Sequence, residues 1–291
     1  LLREVTYIFL FGIFYIFLLE CYNMLENEIY NSLNKKFDEL KDSFFQSNAD
    51  FGCRFFFVDN LLAEETAIRI SNKFPSTGDM RYLNSYREKK YTSKDFNKFD
   101  NILEETALAL QSKKVIEIIE KITCIKQQVG DPMFYAGGLS AMSYKNFLNP
   151  HIDNSHNYQQ SHYRTLNLLY YVTQDWTSKD GGHLELWDKN VKKNKTIESS
   201  FNRLIVMETN PLSWHSVSRV TNKVKARNCI SNYYFSKISP INKSYSNVTS
   251  FNGRPGQILN RIICKIDNKI RQSIRFFKKK GFSKIDLNIQ N

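Results

Sequence analysis

The stretch GGLSAMSYKNFLNPHIDN, residues 137–154, holds the strongest fold signal in this chain. It contains two short β-rich runs, and the second carries His151 and Asp153 two positions apart. Because side chains alternate along a strand, this spacing places an imidazole and a carboxylate on the same face. All five histidines of the 291-residue chain fall between His151 and His215. The middle of the chain is therefore predicted to hold a metal ion.

The best candidate for a third ligand is His215, which follows the apolar run RLIVMET, residues 203–209, and a short polar turn. Two histidines and one carboxylate with open coordination positions are typical of non-haem Fe(II) oxygenases. An isolated His-x-Asp pair is weak evidence, because it occurs often by chance.

A buried cation is predicted twelve residues beyond His215, where Arg227 opens the run RNCISNYYFS. An arginine that enters a β core needs an anion, since its burial alone is costly. A small dicarboxylate co-substrate would supply that anion through a two-pronged contact. Arg219 and Lys225 are alternative partners, but both sit in a polar turn.

The pattern of short runs predicts the fold class. Residues 25–45, 63–74, 99–112 and 113–122 have helical spacing, residues 53–58 form a strand, and residues 77–98 are expected to be rich in loops. After Gly130, β-rich runs are separated by Gly, Asn, Asp, Ser and Pro, which favours a barrel or jelly roll.

Four segments together resemble a known family: residues 137–154, YRTLNLLYYVTQDWTSKDGGHLELWD, FNRLIVMETNPLSWHSVSRV and RNCISNYYFS. Over about residues 50 to 237 the chain is similar to the Fe(II)/2-oxoglutarate-dependent dioxygenase superfamily, in its prolyl-4-hydroxylase-like branch. The resemblance implies a mainly β fold with α elements. A double-stranded β-helix (jelly roll) core would be supported by N-terminal helices. The residue pattern beyond the resemblance adds a C-terminal basic helix to this predicted fold.

The resemblance also implies roles and cofactors. His151, Asp153 and His215 would be the catalytic metal ligands, and Arg227 and Tyr144 would bind the co-substrate. Asn167 is a further candidate for binding in the same pocket, with a structural role as the alternative. The cofactors would be Fe(II), 2-oxoglutarate and O2, with ascorbate as a candidate reductant, and the products succinate, CO2 and a hydroxylated substrate. This chain departs from the family pattern at Lys145-Asn146 and at Ser216.

Three functions stay open at this level. The first is a hydroxylase of a peptide or small molecule, with a prolyl residue as the family-level substrate and a free amino acid, a lipid or a sugar-linked metabolite as alternatives. The second is a non-catalytic binding or scaffold protein that retains the fold. The third is a zinc hydrolase with the same three ligands, in which Arg227 would have no natural task.

The net charge of +12 is concentrated at the carboxyl end. From Lys237 onward there are twelve Lys and Arg against two Asp, a balance of +10. A helix from about Gln257 to Phe277 is expected to pack its apolar stripe on the oxygenase domain and to turn its basic face outward. That face could contact an anionic surface, whereas nucleic acid is unlikely because no recognition motif accompanies the charge.

The amino end carries a nearly continuous apolar run at residues 5–22. It is either a membrane anchor or a start-site artefact, with the protein beginning at Met24. Five scattered cysteines without a CxxC pair suit a reducing compartment, so the expected location is cytoplasmic, or membrane-anchored if the run is genuine. The predicted divisions are a hydrophobic segment 1–23, an α/β support region 24–130, the oxygenase core 131–237 and a basic tail 238–291.

Overall fold

A computed structural model of the chain describes residues 21–47, 51–135 and 137–277. The helices, numbered α1 to α6, span 21–35, Phe37–Gln46, Glu64–Lys73, Asn101–Ala109, Lys113–Thr123 and Ile258–Phe277. The strands, numbered β1 to β12, span Phe55–Asp59, Arg81–Asn84, Glu88–Ser93, Gly138–Met142, Phe147–Ile152, Tyr163–Tyr171, Leu184–Trp187, Asn194–Ile197, Arg203–Glu208, His215–Val217, Arg227–Ser236 and Ser250–Phe251. Single 3-10 turns lie at Thr77–Asp79, Phe96–Lys98 and Ser178–Asp180.

Strands β4 to β11 form a double-stranded β-helix. Antiparallel pairing gives one four-stranded face in the order β9-β6-β11-β4 and a second in the order β5-β10-β7-β8. Consecutive strands β4 to β7 therefore alternate between the two faces, as in a jelly roll. Strand β1 extends the first face beside β9. The predicted fold class is confirmed.

Strand β6 shows how the sequence separates the core from the interior of the jelly roll. Leu166, Leu168 and Tyr170 on one side are fully buried and belong to the main hydrophobic cluster. The residues between them, Asn167 and Leu169, point to the opposite side and line a cavity. Two-residue alternation thus assigns one side of the strand to packing and the other to the site.

The N-terminal helices cover the outer side of this first face. In α1, Leu25, Ile29 and Leu33 recur every four residues and are completely buried. Helix α5 begins at a Ser112 cap, whose hydroxyl accepts a hydrogen bond from the Val115 amide at 3.2 Å. Helices and sheet share one hydrophobic cluster, so the helical region supports the oxygenase core directly.

The expectation of a loop-rich region at 77–98 is wrong, because β2 and β3 form a hairpin there. Strand β3 pairs with β4 and with β5, so it joins the two faces at one side of the jelly roll. All residues of β3, EKKYTS, are half-buried, so neither side of the strand requires apolar side chains. The alternation that would have predicted a strand is therefore missing from its sequence. Strands β1 to β3 and β12 join the core sheet from outside the predicted limits 131–237.

The expected orientation of the C-terminal helix is also wrong. In α6, Leu259, Ile262 and Ile266 are exposed to solvent. The opposite, polar side faces the body: Asn268 exchanges two hydrogen bonds with the Phe251 backbone, and Arg271 donates to the Thr249 carbonyl at 2.5 Å. These polar contacts fix the orientation of α6, and its apolar stripe lies at the surface.

Within the described part of the chain, no helix has both the length and the apolar character needed to cross a membrane. The predicted segment 1–23 lies outside the described residues except for its last three, which begin α1. All five cysteines are free, as expected from their spacing.

Candidate metal centre

Three predicted ligands converge at one end of the jelly-roll interior. His151 on β5 and His215 on β10 are direct partners in antiparallel register, and Asp153 follows the end of β5 by one residue. The Nε2 atoms of His151 and His215 lie 3.6 and 3.5 Å from the two carboxylate oxygens of Asp153. One ligand atom from each residue falls within 4.8 Å of the others. This donor set fits a divalent metal with open coordination positions.

Backbone carbonyls fix which nitrogen of each histidine is available. His151 Nδ1 lies 3.0 Å from the Asn149 carbonyl oxygen, and His215 Nδ1 lies 2.9 Å from that of Ser213. A carbonyl can only accept a hydrogen bond, so both Nδ1 atoms carry the proton. Both Nε2 lone pairs are then free to face Asp153 and a bound metal.

Asp153 is held by two donors. Arg164 Nη1 lies 3.1 Å and Asn167 Nδ2 lies 2.7 Å from Asp153 Oδ2. Burial alone would raise the pKa of Asp153, but the Arg164 guanidinium and the hydrogen bond from Asn167 hold this pKa well below its ordinary value. The carboxylate therefore stays ionised and oriented. The contact of Arg164 with Asp153 was not predicted. Asn167, predicted to bind the co-substrate, donates a hydrogen bond to Asp153.

The C-terminal segment forms one wall of the centre. Strand β12 pairs with β5, and the Phe251 ring stacks on the His151 ring with 5.3 Å between centroids. Asn247 Nδ2 donates to the Asp153 carbonyl at 2.7 Å. Burial, followed by the neighbouring His215, lowers the pKa of His151 to about 3. The unprotonated imidazole needed for ligation is thus favoured at neutral pH.

Arg227 lies at another part of the same cavity, where it is buried against Tyr171. Its guanidinium carbon is 5.2 Å from the Tyr171 ring centroid. Arg227 Nε and the Tyr171 hydroxyl are buried and have no hydrogen-bond partner among the described residues. Burial raises the pKa of Tyr171 to about 12, so the phenol stays protonated and can donate. Two neighbouring buried donors that line one cavity fit a carboxylate ligand.

Tyr171 was missed by the sequence prediction, although the sequence contained a signal for it. Asn167, Leu169 and Tyr171 are spaced by two on β6, so they share the cavity side of the strand. On this side of β6, Leu169 lies between Asn167, which contacts Asp153, and Tyr171, which packs against Arg227. The cavity is therefore polar at two separated points and apolar between them.

The predicted role of Tyr144 is not supported by its position. Its side chain is 41% exposed, lies near Lys145 and Lys223, and does not line the cavity. The cause is local, because β4 ends at Met142 and the Asn146 side chain accepts from the Ser143 amide in a tight turn. This turn places Tyr144 on the surface.

Neither rival of Arg227 reaches the cavity. Lys225 pairs at 3.0 Å with Asp175 on the surface, and Arg219 is exposed. Gly182 lies beside Arg227, and a Cβ there would come within 3.2 Å of the Arg227 Cδ atom. A glycine at this position leaves room for the guanidinium stem.

The cavity that joins these groups has a volume of about 1050 Å³. It runs past the metal trio, Arg227 and Tyr171 to an outer part formed by β2, β3 and the C-terminal segment. Eight Lys and Arg line it against four Asp and Glu among the described residues, which are Arg81, Arg87, Lys90, Lys94, Lys98, Arg164, Arg227 and Arg271 against Asp79, Glu88, Asp95 and Asp153.

In the comparison with protein-family models, residues 138–235, which cover the eight core strands, match the 2OG-Fe(II) oxygenase superfamily. The chain carries a 2OG-Fe(II) oxygenase domain. It is thus an enzyme of the class that uses Fe(II), 2-oxoglutarate and O2. No curated protein matches the chain.

Solved structures similar to this oxygenase include a prolyl hydroxylase from Trichoplax adhaerens in complex with a hypoxia inducible factor peptide fragment. The identity is 17% and the TM-score 0.46, over 78% of this chain and 96% of that one. A Pseudomonas putida prolyl-4-hydroxylase has 10% identity and a TM-score of 0.44, over 68% and 98%. HygX from Streptomyces hygroscopicus, solved with nickel, 2-oxoglutarate and hygromycin B, has 8% identity and a TM-score of 0.46, over 71% and 95%.

Proposed function

We propose that this oxygenase hydroxylates a C–H bond of a peptide, with a prolyl residue as the first candidate, and that His151, Asp153 and His215 hold its iron. One observation carries the proposal: the three ligands share a cavity with Arg227 and Tyr171, two buried donors without partners among the described residues. A metal site alone would not require a second, separate anion site in the same cavity.

In this proposal, residues around the metal ligands fix the orientation of these ligands and keep Asp153 ionised. When bound, Fe(II) with 2-oxoglutarate and O2 supplies an oxidative decarboxylation that releases succinate and CO2 and leaves one oxygen atom on the substrate. Asp153 is kept ionised and fixed by Arg164 and Asn167. His151 and His215 are kept in the tautomer that directs Nε2 inward. Hydrogen bonds from neighbouring residues to the metal ligands set both the geometry and the affinity of a metal site.

Arg227 and Tyr171 are proposed to hold the far carboxylate of 2-oxoglutarate. The guanidinium supplies the charge, and the phenol adds one hydrogen bond whose donor state does not change near neutral pH. Leu169 on the same strand offers an apolar contact for the methylene groups between the two carboxylates. The co-substrate would then be oriented before any substrate enters.

The outer part of the cavity is proposed to receive the substrate. Apart from Arg164, Arg227 and Asp153, its lining has six cationic and three acidic side chains. Lys90 pairs with Glu88 and Lys98 with Asp95, and Arg87 and Arg271 share Asp267. The excess of positive charge favours a peptide that carries acidic residues near its target. The prolyl target itself rests on the resemblance of the sequence motifs.

The test is turnover by the full chain with Fe(II), 2-oxoglutarate and O2, offered proline-containing peptides with acidic, neutral or basic flanking residues. We expect succinate formation coupled to O2 uptake, and a product heavier by one oxygen atom, with the acidic peptides the best substrates. Failure to consume 2-oxoglutarate under any of these conditions, in a protein that binds Fe(II), would favour the binding-protein alternative. Hydrolysis supported by zinc and independent of O2 would favour the zinc hydrolase.

A further inference from the structure

Helix α6 presents a continuous apolar face to solvent. Six large aliphatic side chains on one side of it are between 47% and 76% exposed, namely Ile258, Leu259, Ile262, Ile263, Ile266 and Ile270. Their spacing of three and four residues places them in one stripe along about three turns. Isolated exposed leucines are ordinary, but a contiguous stripe of this kind marks a contact surface.

The orientation of the helix is fixed by specific contacts on its other side. Arg261 donates to the carbonyls of Arg254 and Val191, and Gln272 Nε2 donates to the Ser246 carbonyl at 2.8 Å. Asp267 lies 3.3 Å from Arg87 on the body and 2.9 Å from Arg271. A rotation that buried the isoleucines would break these polar contacts. The apolar stripe is therefore held outward by the fold.

Charge next to the stripe indicates what covers it. Lys265 and Lys269 are exposed and follow one border of the stripe. Asp267, the one acidic residue of α6, is engaged by Arg87 and Arg271 and supplies no free counter-charge. We propose that the outward face of α6 lies on an anionic lipid bilayer, with the isoleucines in the acyl boundary and the two lysines at the headgroups. Helices of this composition bind in the plane of the interface.

A second copy of the chain fits this face less well. In a symmetric pair with antiparallel helices, each stripe would meet itself, and the two lysine borders would lie on the same side. Like charges at such a contact oppose association. With parallel helices, the lysines of one α6 would find no free acidic residue on the other, because Asp267 is engaged. An anionic lipid surface satisfies the same lysines and accepts the whole stripe without a matching groove.

The test uses the full chain and a local probe, because residues 5–22 are also apolar and could bind lipid by themselves. Ile266→Trp places an indole in the stripe. Val224→Trp, at a loop residue that is 93% exposed, is the matched control. With vesicles of phosphatidylcholine and phosphatidylserine, we expect the Ile266→Trp emission, corrected for the parent spectrum, to shift to shorter wavelength and to be quenched by brominated lipid. The Val224→Trp emission should not change.

Two further variants separate the apolar and ionic contributions. Lys265→Gln/Lys269→Gln should lower partitioning into anionic vesicles by about 30-fold at low salt, with the difference shrinking as salt rises. Ile262→Ser/Ile266→Ser should weaken it by about tenfold or more, and the metal centre should still turn over. An Ile266→Trp emission that vesicles leave unchanged would overturn the proposal. So would emission already shifted without lipid in a protein that sediments as a dimer, because a second copy would then be the occupant.

Discussion

Arg227 and Tyr171 show how a single buried pair can define a ligand. Both side chains are buried within the cavity, and neither the Arg227 Nε nor the Tyr171 hydroxyl is satisfied by the described residues. Leaving a buried charge without a partner is expensive, so the pair implies an anion of matching size. The three metal ligands lie on the opposite side of Leu169 along the cavity.

Substitution of this pair should change the co-substrate requirement selectively. Tyr171→Phe removes one hydrogen bond to a carboxylate and should raise the KM for 2-oxoglutarate by about tenfold. Arg227→Ala should raise it by about 30-fold or more. Fe(II) affinity should change little in both variants. Tyr144→Phe is the matched control, because Tyr144 lies on the surface, and an equal effect in this variant would contradict the assignment.

His151 should give the metal-free protein a distinct dependence of stability on pH. Its pKa is lowered to about 3 in the folded state, whereas an unfolded histidine titrates near 6.5. Between these values only the unfolded chain takes up the proton, so acid favours unfolding. The free energy of unfolding of the parent, minus that of His151→Gln, should fall by about 1.4 kcal/mol per pH unit between about pH 6 and 4. Chemical denaturation at several pH values measures this difference, and a flat difference would show that His151 keeps an ordinary pKa.

At the scale of elements, the C-terminal segment is part of the metal centre. Strand β12 adds to β5 on the side of His151, and its Phe251 stacks on that ring. Asn247, just upstream, holds the backbone of Asp153. The segment between the last core strand and α6 therefore contacts and positions two of the three predicted ligands, His151 and Asp153.

Phe251→Ala should weaken Fe(II) binding by about tenfold, because His151 loses the ring that fixes its plane. The KM for 2-oxoglutarate, measured at saturating Fe(II), should stay close to that of the parent. Phe251→Leu keeps most of the buried volume. Compared with Phe251→Ala, it should regain much of the free energy of unfolding of the parent, but only part of its Fe(II) affinity. Equal Fe(II) affinity in all three proteins would restrict Phe251 to a packing role.

Elements also differ in how far the sequence predicts them. The strands of the core could be predicted because apolar alternation and turn residues mark β4, β6, β9 and β11. The β2–β3 hairpin could not be, since its polar residues gain their order from pairing with β4 and β5. Helix α6 was found by its period, but its orientation depends on carbonyls and side chains brought near it by the fold.

Single site residues were also predicted where a local pattern marks them, and were missed where their position depends on the fold. His151, Asp153, His215 and Arg227 were predicted from spacing and chemistry, and the structure brings all four to one cavity. Tyr144 was misplaced because a four-residue turn determines its direction. Arg164 could not be assigned to Asp153 from the sequence, because ten residues of loop and strand separate it from the carboxylate it holds.

At the scale of the whole molecule, one metal-centred cavity unites the helix-supported face, the second face and the C-terminal segment. The first face supplies Asn167, Tyr171 and Arg227, and the second supplies His151 and His215. Neither face alone holds both the two histidines and the Arg227–Tyr171 pair. Function therefore depends on closure of the jelly roll.

The most direct test of this arrangement is anaerobic titration of the full chain with Fe(II) in the presence of 2-oxoglutarate, followed by the visible absorption of the iron–2-oxoglutarate chelate. The parent should develop this absorption with one Fe(II) per chain. Asp153→Ala should not develop it at the same Fe(II) concentration, and Arg227→Ala should need more 2-oxoglutarate to reach it. If Asp153→Ala developed the same absorption as the parent at the same Fe(II) and 2-oxoglutarate concentrations, the assignment of Asp153 as a metal ligand would be contradicted.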